Sequence, residues 1–449
     1  MNLGYIGLGA LGSELAKRLV PSGKLCVWDL YPAAREKFSE LGVTIGASAA
    51  DVGAQSDLVM LCLPRSADVR QLLFSDQGLA SGLSPGKIVV DQTSGFPPET
   101  AGIAAELAGA GVSMIDAAVS GSPGLVHEGL ATLMVSGEEE VVRRAEPTLN
   151  LITQKIIRCG SRVGDAQAMK MINNAMYGVL RLATLEAVAL GLKAGVPLVR
   201  IEEFLRDGPA ANRTTELALP ALLQGKSATK FSLALMLKDI DQAAEMGERT
   251  QVPTPFISTV SGLLRVGINT LGPQSELEDT IPLMGQLSGV SMKSTDGERS
   301  ATTATPIGAE EEARVLDKIE ALLTVMGHLA TYECASIGLA YGLTLDDIDK
   351  VVNNSSGRSA ASRAVLPALA SGAPLQLPTL EHLLARMAEA CALATTLKTP
   401  LFLGAIGKSL LAQRLLSGKL GDDISTMLHF YSSPRQYERR PAPRSALSA

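Results

Sequence analysis

Leu3-Gly4-Tyr5-Ile6-Gly7-Leu8-Gly9-Ala10-Leu11-Gly12-Ser13-Glu14-Leu15-Ala16-Lys17-Arg18-Leu19 decides the fold. Leu3 to Ile6 reads as a short buried strand, Gly7 to Gly12 as a G-x-G-x-x-G loop, and the residues from Ser13 onward as a helix. Gly7 permits the tight turn, Gly9 lets the backbone approach a pyrophosphate, and Gly12 lets helix and strand pack closely. The amides of the helix N-terminus then face the phosphates. Gly7, Leu8, Gly9, Ala10, Leu11 and Gly12 are therefore candidate dinucleotide-binding residues.

Working outward, Lys24 to Trp28 reads as a second strand and ends in Asp29, 20 positions after Gly9. An acid at that spacing fits the ribose of a dinucleotide, although Asp also ends strands for purely local reasons. A carboxylate there repels a 2′-phosphate, and Leu30 and Tyr31 supply no arginine to hold one, so NAD is expected over NADP. Further strands are expected at 58–63, 87–91, 112–115, 131–135 and 155–158, alternating with helical stretches. This pattern predicts an α/β Rossmann domain with a doubly wound, mainly parallel sheet. Ligands of such sheets lie beyond the carboxyl ends of the strands, where Leu63, Pro64, Thr93, Ser94, Ser120 and Gly121 fall.

Residues 164–195 read as one long helix, on which Lys170 and Asn174 are four apart and project from one face. A desolvated lysine can take a hydroxyl proton while hydride leaves the same carbon for a nicotinamide. On residue type alone the bland readings come first: Lys170 as a solvated helix lysine, Ser120-Gly121 as a polar turn, and Lys238-Asp239 as a charged pair on a helix. The flanks Ala166, Ala168, Met169, Met171 and Ile172 are mostly apolar, which argues against solvent on all sides of Lys170.

The helical region recurs at a fixed offset of 147 positions: Glu186 with Glu333, Gly191 with Gly338, Gly195 with Gly342, Pro220 with Pro367 and Pro253 with Pro400. Aligned Gly and Pro at one offset point to a duplicated all-α domain. The chemical residues are not duplicated, because Lys170 pairs with Asp317, Asn174 with Ala321, Lys238 with Ala385 and Asp239 with Arg386. The expected organisation is a nucleotide-binding domain (1–161), a first helical domain (162–287), a linker (288–308), a second, non-catalytic helical domain (309–431) and a tail (432–449).

Five segments in order resemble the β-hydroxyacid dehydrogenase family, which spans 3-hydroxyisobutyrate, tartronate semialdehyde, L-threonate and, more distantly, 6-phosphogluconate enzymes. They are the glycine loop, Asp91-Gln92-Thr93-Ser94, Asp116-Ala117-Ala118-Val119-Ser120-Gly121-Ser122, Lys170-Met171-Ile172-Asn173-Asn174, and Lys238-Asp239. The resemblance implies that Ser120 and Gly121 hold the substrate carboxylate and that Lys170 is the general acid/base. It further implies that Asn174 orients the substrate and that Lys238 lies beside the cofactor. Ser122 stands where the family usually has glycine, and Ala118 where it usually has proline. Ser355-Ser356-Gly357-Arg358, in the second copy only, resembles an element of 3-hydroxyisobutyrate dehydrogenases. The implied activity is NAD-dependent oxidation of a small β-hydroxy acid or sugar acid, or the reverse. The alternatives are a 6-phosphogluconate-type oxidative decarboxylase and a non-catalytic nucleotide-binding protein.

Bulk properties narrow the classes further. The chain has 449 residues, 46% hydrophobic and only 4% aromatic, which suits Ala/Leu-rich helices. A net charge of -6 offers no basic field for nucleic acid or an anionic membrane. Five scattered cysteines and four scattered histidines suggest neither a disulfide framework nor a metal site. With no signal-like leader and no long apolar run, a cytoplasmic protein is expected, as a monomer or homodimer, the second helical copy being either a stand-in for a partner subunit or a purely structural helical block.

Overall fold

The computed structural model describes residues 1–292 and 307–431. Most of the expected linker and all of the expected tail (432–449) lie outside the described residues. The chain forms two compact units, Met1–Met171 and Ile172–Ala449.

The first unit holds eight strands: β1 (Leu3–Ile6), β2 (Leu25–Trp28), β3 (Thr44–Ile45), β4 (Leu58–Leu61), β5 (Ile88–Asp91), β6 (Ser113–Ser120), β7 (Thr132–Ser136) and β8 (Ile156–Arg158). Between them run α1 (Ala10–Leu19), α2 (Pro32–Ser39), α3 (Ala49–Gln55), α4 (Ser66–Phe74), α5 (Pro97–Gly109), α6 (Pro123–His127) and α7 (Glu139–Ile152). The sheet order is β3-β2-β1-β4-β5-β6-β7-β8, and every pair is parallel except β6 with β7. Alternate residues of one strand enter opposite cores: Leu3, Tyr5, Leu58 and Met60 pack on one face, and Ile6, Val59 and Leu61 on the other. Burial on both faces is why these strands read as continuous apolar runs. Two features departed from the expected strands. The two-residue β3 carries no legible pattern, and β6 extends to Ser120 because it pairs antiparallel with β7, Ser120 opposite Thr132.

The second unit is helical. The 29-residue α8 (Asp165–Lys193) runs into it, followed by α9 (Leu198–Leu205), α10 (Leu219–Leu223), α11 (Leu233–Thr250), α12 (Pro255–Leu271) and α13 (Thr280–Ser288). Then come α14 (Ala309–Tyr341), α15 (Leu345–Asn353), α16 (Ala360–Ser371), α17 (Leu380–Leu397), α18 (Phe402–Ser417) and α19 (Met427–Tyr431). The first residues of α9 and α15, of α11 and α17, of α12 and α18, and of α13 and α19 are each 147 positions apart, as with Leu198 and Leu345. By length and composition α8 could cross a membrane, but 94% of its apolar window is buried inside the protein, as in the core helix of a globular unit.

The contacts within the helical unit are reciprocal. Glu186 of α8, fully buried, accepts hydrogen bonds from the amides of Leu403 (2.9 Å) and Gly404 (3.2 Å) at the start of α18. Glu333 of α14, also fully buried, accepts those of Ile257 (2.9 Å) and Phe256 (3.3 Å) at the start of α12. Each carboxylate thus satisfies orphan amides of a helix in the other half of the unit. Positions 147 apart also meet each other: Asn212 and Ser359 form an antiparallel bridge, and Arg363 pairs with Glu216 at 3.3 Å.

Candidate active site

The glycine loop follows β1 as a turn in which Gly7 takes φ +97°. A Cβ on Gly12 would lie 1.9 Å from the Gly7 carbonyl oxygen, so glycine is required for α1 to leave the sheet there. A Cβ on Gly9 would meet nothing within 4 Å, which leaves room for a ligand to approach its backbone. Gly9 caps α1 without any side-chain hydrogen bond, and the first turn contains no acid. The N-terminal amides therefore keep their affinity for an anion. Asp29, just past β2, accepts the Leu8 amide on Oδ2 (2.6 Å) and the Tyr31 amide on Oδ1 (2.8 Å). Both oxygens retain a free lone pair for a diol. An open glycine backbone, an uncapped helix and an oriented carboxylate fit the diphosphate and ribose of a dinucleotide.

The carboxyl ends of β4, β5 and β6 are adjacent in the sheet, which aligns the other expected lining residues. The Leu63 amide donates to Thr93 Oγ1 at 3.1 Å, tying the ends of β4 and β5 together, and Pro64 beside it is exposed. The Thr93 amide donates to Asp91 at 2.9 Å, while Gln167 donates to Asp91 Oδ2 (3.2 Å) and to the Thr93 carbonyl (3.1 Å). Burial pushes the Asp91 carboxyl up to about 6. Next to it, Lys170 Nζ donates to Ser94 Oγ. Lys170 is half-buried, as its apolar flanks suggest. Ser120 ends β6, and Gly121 turns the chain at φ +152° into α6, whose first turn is capped by Ser122 Oγ accepting the Leu125 amide (3.4 Å). The serine that departs from the family's usual glycine is thus a helix cap, and Ala118 is fully buried in mid-strand.

What aims Lys170 is a pair of groups that the motif reading left without a role. Asp116 of β6, fully buried, accepts the amides of Gly164 and Gln167 at 2.9 Å each and the hydroxyl of Ser136. Ser136 of β7 accepts the Ala166 amide at 2.8 Å. Three orphan amides at the start of α8 are satisfied by the sheet, which fixes the first turns of the helix, and the lysine on them, relative to the strand ends. Burial pushes Asp116 up to about 7. The signal was present in sequence: a lone acid between Ile115 and Ala117 in an apolar strand has to find donors.

In the helical unit, Asn174 donates to Asp239 Oδ2 at 2.7 Å, and Lys238 lies 3.4 Å from Asp239 Oδ1. Asp239 is buried and joins the two residues that the sequence named separately. Asn173, fully buried, donates to Ser356 Oγ (2.8 Å) and accepts the Gly357 amide (2.8 Å). The Ser-Ser-Gly-Arg loop of the second half therefore packs beside Asn174. Arg358 on that loop pairs with Glu216. At the positions equivalent to Lys170 and Asp239, Asp317 and Arg386 form an ion pair with each other.

A family model described as the NAD binding domain of 6-phosphogluconate dehydrogenase matches residues 2–160. A second, described as NAD-binding of NADP-dependent 3-hydroxyisobutyrate dehydrogenase, matches residues 164–284. The L-threonate dehydrogenase of Cupriavidus necator is 30% identical over 256 residues, covering 57% of this chain and 86% of the relative. The 2-hydroxy-3-oxopropionate reductase of Escherichia coli is 31% identical over 288 residues, covering 63% and 98%. Among solved structures, Mycobacterium tuberculosis 3-hydroxyisobutyrate dehydrogenase with L-serine aligns at a TM-score of 0.57 and 25% identity, covering 63% of this chain and 98% of that one. The chain therefore belongs to the β-hydroxyacid dehydrogenase family of NAD(P)-dependent oxidoreductases that act on CH–OH groups.

Proposed function

We propose that this protein transfers hydride between NAD and the hydroxyl-bearing carbon of a small β-hydroxy acid, with Lys170 as general acid/base. The observation that carries the reading is the Lys170–Ser94 hydrogen bond at the carboxyl end of β5, on a helix whose first turn is fixed by Asp116 and Ser136. When bound, the nicotinamide supplies the hydride acceptor. Lys170 takes the hydroxyl proton as hydride leaves, and returns it in the reverse direction. Ser94 holds the Lys170 amine in place, Ser120 and the Gly121 amide receive the substrate carboxylate, and Asn174, steadied by Asp239, orients the hydroxyl. NAD is preferred because Asp29 repels a 2′-phosphate. The test is a panel of three- to five-carbon hydroxy acids and sugar acids with NAD and NADP, read as nicotinamide absorbance. Turnover with NAD at the higher kcat/KM is expected; tight NAD binding with no turnover on any of them would identify a sensor instead.

The second half of the helical unit, on this reading, is a duplicated copy that serves as a built-in partner subunit. Reciprocal contacts, Glu186 to the start of α18 and Glu333 to the start of α12, together with contacts between residues 147 positions apart, support this reading, because a two-fold axis between copies would produce them. At that axis Glu216 meets Arg363, where two identical copies would oppose like charges. Divergence after fusion makes the pair complementary. The whole chain is expected to sediment as a 46.9 kDa monomer. A truncation to residues 1–308 that remained monomeric and fully active would sink this part.

A further inference from the structure

Gln167 is buried one helical turn before Lys170, so the two side chains leave α8 on the same face. Both reach the turn that follows β5. Gln167 Nε2 donates to Asp91 Oδ2 at 3.2 Å and to the Thr93 carbonyl at 3.1 Å, while Lys170 Nζ donates to Ser94 Oγ. Gly95, the next residue of that turn, makes room for the amide: a Cβ there would lie 3.0 Å from Gln167 Nε2 and 2.2 Å from Ser66 Oγ. All of these groups belong to the first compact unit.

The bond to the Thr93 carbonyl bears on Lys170 through covalent geometry. The Thr93 carbonyl and the Ser94 amide share one rigid peptide plane, so holding the carbonyl restricts the direction in which the Ser94 side chain leaves the backbone. The same turn is held elsewhere by the Thr93 amide on Asp91 (2.9 Å), the Leu63 amide on Thr93 Oγ1 (3.1 Å) and the Phe96 amide on Ser66 Oγ (2.9 Å). Residue type matters at position 167. Asp91 Oδ2 and the Thr93 carbonyl both accept, which calls for two N–H donors, and a cation that supplied them would oppose a charge on Lys170 three residues on. Gln supplies both donors and stays neutral. Its Oε1 is buried and has no hydrogen-bond partner, a cost that a residue placed for stability alone would avoid.

We propose that Gln167 is a positioning residue for proton transfer: by holding the Thr93–Ser94 peptide it presents Ser94 Oγ to Lys170 and keeps the lysine amine at the carboxyl end of β5. Its influence on the reaction runs through Ser94 and Lys170. The inference rests on the reading of Lys170 as general acid/base and deepens it. Misplacing a reacting group by about 1 Å is enough to cost about 100-fold in rate.

The test compares wild type, Gln167→Met, Ser94→Ala and the double variant, each as the full chain, on a hydroxy acid that the wild type oxidises with NAD. Met keeps the length of Gln and removes the two donors. Gln167→Met should lower kcat by about 10- to 100-fold, with KM and the NAD dissociation constant, which also reports folding, within about threefold of wild type. Once Ser94 is gone, the same substitution should lower kcat by no more than about twofold, because the contact through which it acts no longer exists. Equal fold-losses in the two backgrounds, an unchanged kcat in Gln167→Met, or a loss of NAD affinity as large as the loss of kcat each overturn the inference and leave the role of Lys170 standing. A second readout needs no turnover: competitive acetylation by acetic anhydride at one pH, measured by mass spectrometry at Lys170 against the exposed Lys24. An amine released from its bond to Ser94 reacts faster, so Lys170 should be labelled several-fold faster in Gln167→Met and in Ser94→Ala alike. Labelling unchanged from wild type in Gln167→Met overturns the inference. Absence of turnover on every hydroxy acid tried, with faster labelling in both variants, overturns the dehydrogenase reading and keeps Gln167 as the residue that holds Lys170 in place. Absence of both removes the two together.

Discussion

Replacing Glu186 by Gln should make the protein more stable at alkaline pH and leave it nearly unchanged in mild acid. Glu186 is fully buried at the contact between the two helical halves, and burial pushes its carboxyl from 4.5 up to about 7, against the opposing pull of the Leu403 and Gly404 amides. A folded-state value above the unfolded one means that the native state binds the proton more tightly. The contribution of this group is therefore fully present below pH 4.5 and is lost as pH rises through about 7. At about 1.4 kcal/mol per pH unit, that interval amounts to about 3 kcal/mol. Gln keeps an acceptor for the α18 amides and cannot ionise, so it escapes the loss. Urea denaturation of wild type and Glu186→Gln at pH 5 and pH 9 should give nearly equal stabilities at the first pH and a Gln advantage of about 3 kcal/mol at the second. Glu333, pushed by burial up to about 8, should behave alike in the Gln form and lose its stability at somewhat higher pH. A difference that stays constant with pH, or a Gln variant that is the weaker at pH 9, would refute the assignment of these carboxyls as buried caps.

Asp116→Ala leaves two amides at the start of α8 without an acceptor in a dry interior, so unfolding should become easier by about 2–5 kcal/mol in denaturant titrations. Its kcat should fall more than its NAD affinity, because the glycine loop is untouched while the Lys170 helix is loosened. Asp29→Ser removes the carboxylate that excludes a 2′-phosphate, so the kcat/KM preference for NAD over NADP should shrink by about tenfold or more, measured with one substrate and both cofactors. Asp239→Asn removes the charge beside Lys238 and weakens the acceptor for Asn174, so KM for the hydroxy acid should rise several-fold while the dissociation constant of NAD stays within about twofold.

The parts of the fold that follow from local chemistry were legible in sequence. The Gly7-Leu8-Gly9 turn, the Asp29 that ends β2, and the alternating strands all reflect steric and periodic rules that act over a few residues. The β6–β7 antiparallel pair was not, because the direction of pairing is set by where Ser120 and Thr132 meet, which is a tertiary fact. The same division holds at the site. Lys170, Asn174 and Lys238 could be named from their motifs, but their tethers, Asp116, Ser136 and Asp239, bond across 20 to 65 positions, and of these only Asp116, an acid in an apolar strand, signals in sequence that it needs donors. The 147-residue offset led to the expectation of two helical copies, yet nothing in the spacing told that Asn173 would hold the Ser356–Gly357 loop or that Glu216 would meet Arg358.

The central claim is that Lys170 moves the hydroxyl proton during hydride transfer, and the measurement that tests it is the comparison of wild type with Lys170→Ala and Lys170→Arg on a hydroxy acid that the wild type oxidises. Loss of a general acid/base costs about 100- to 10,000-fold in kcat. Both variants should show that loss, bind NAD with unchanged affinity by calorimetry, and lack the pH dependence of kcat seen in the wild type. A Lys170→Ala enzyme that keeps its turnover and its pH profile would contradict the account.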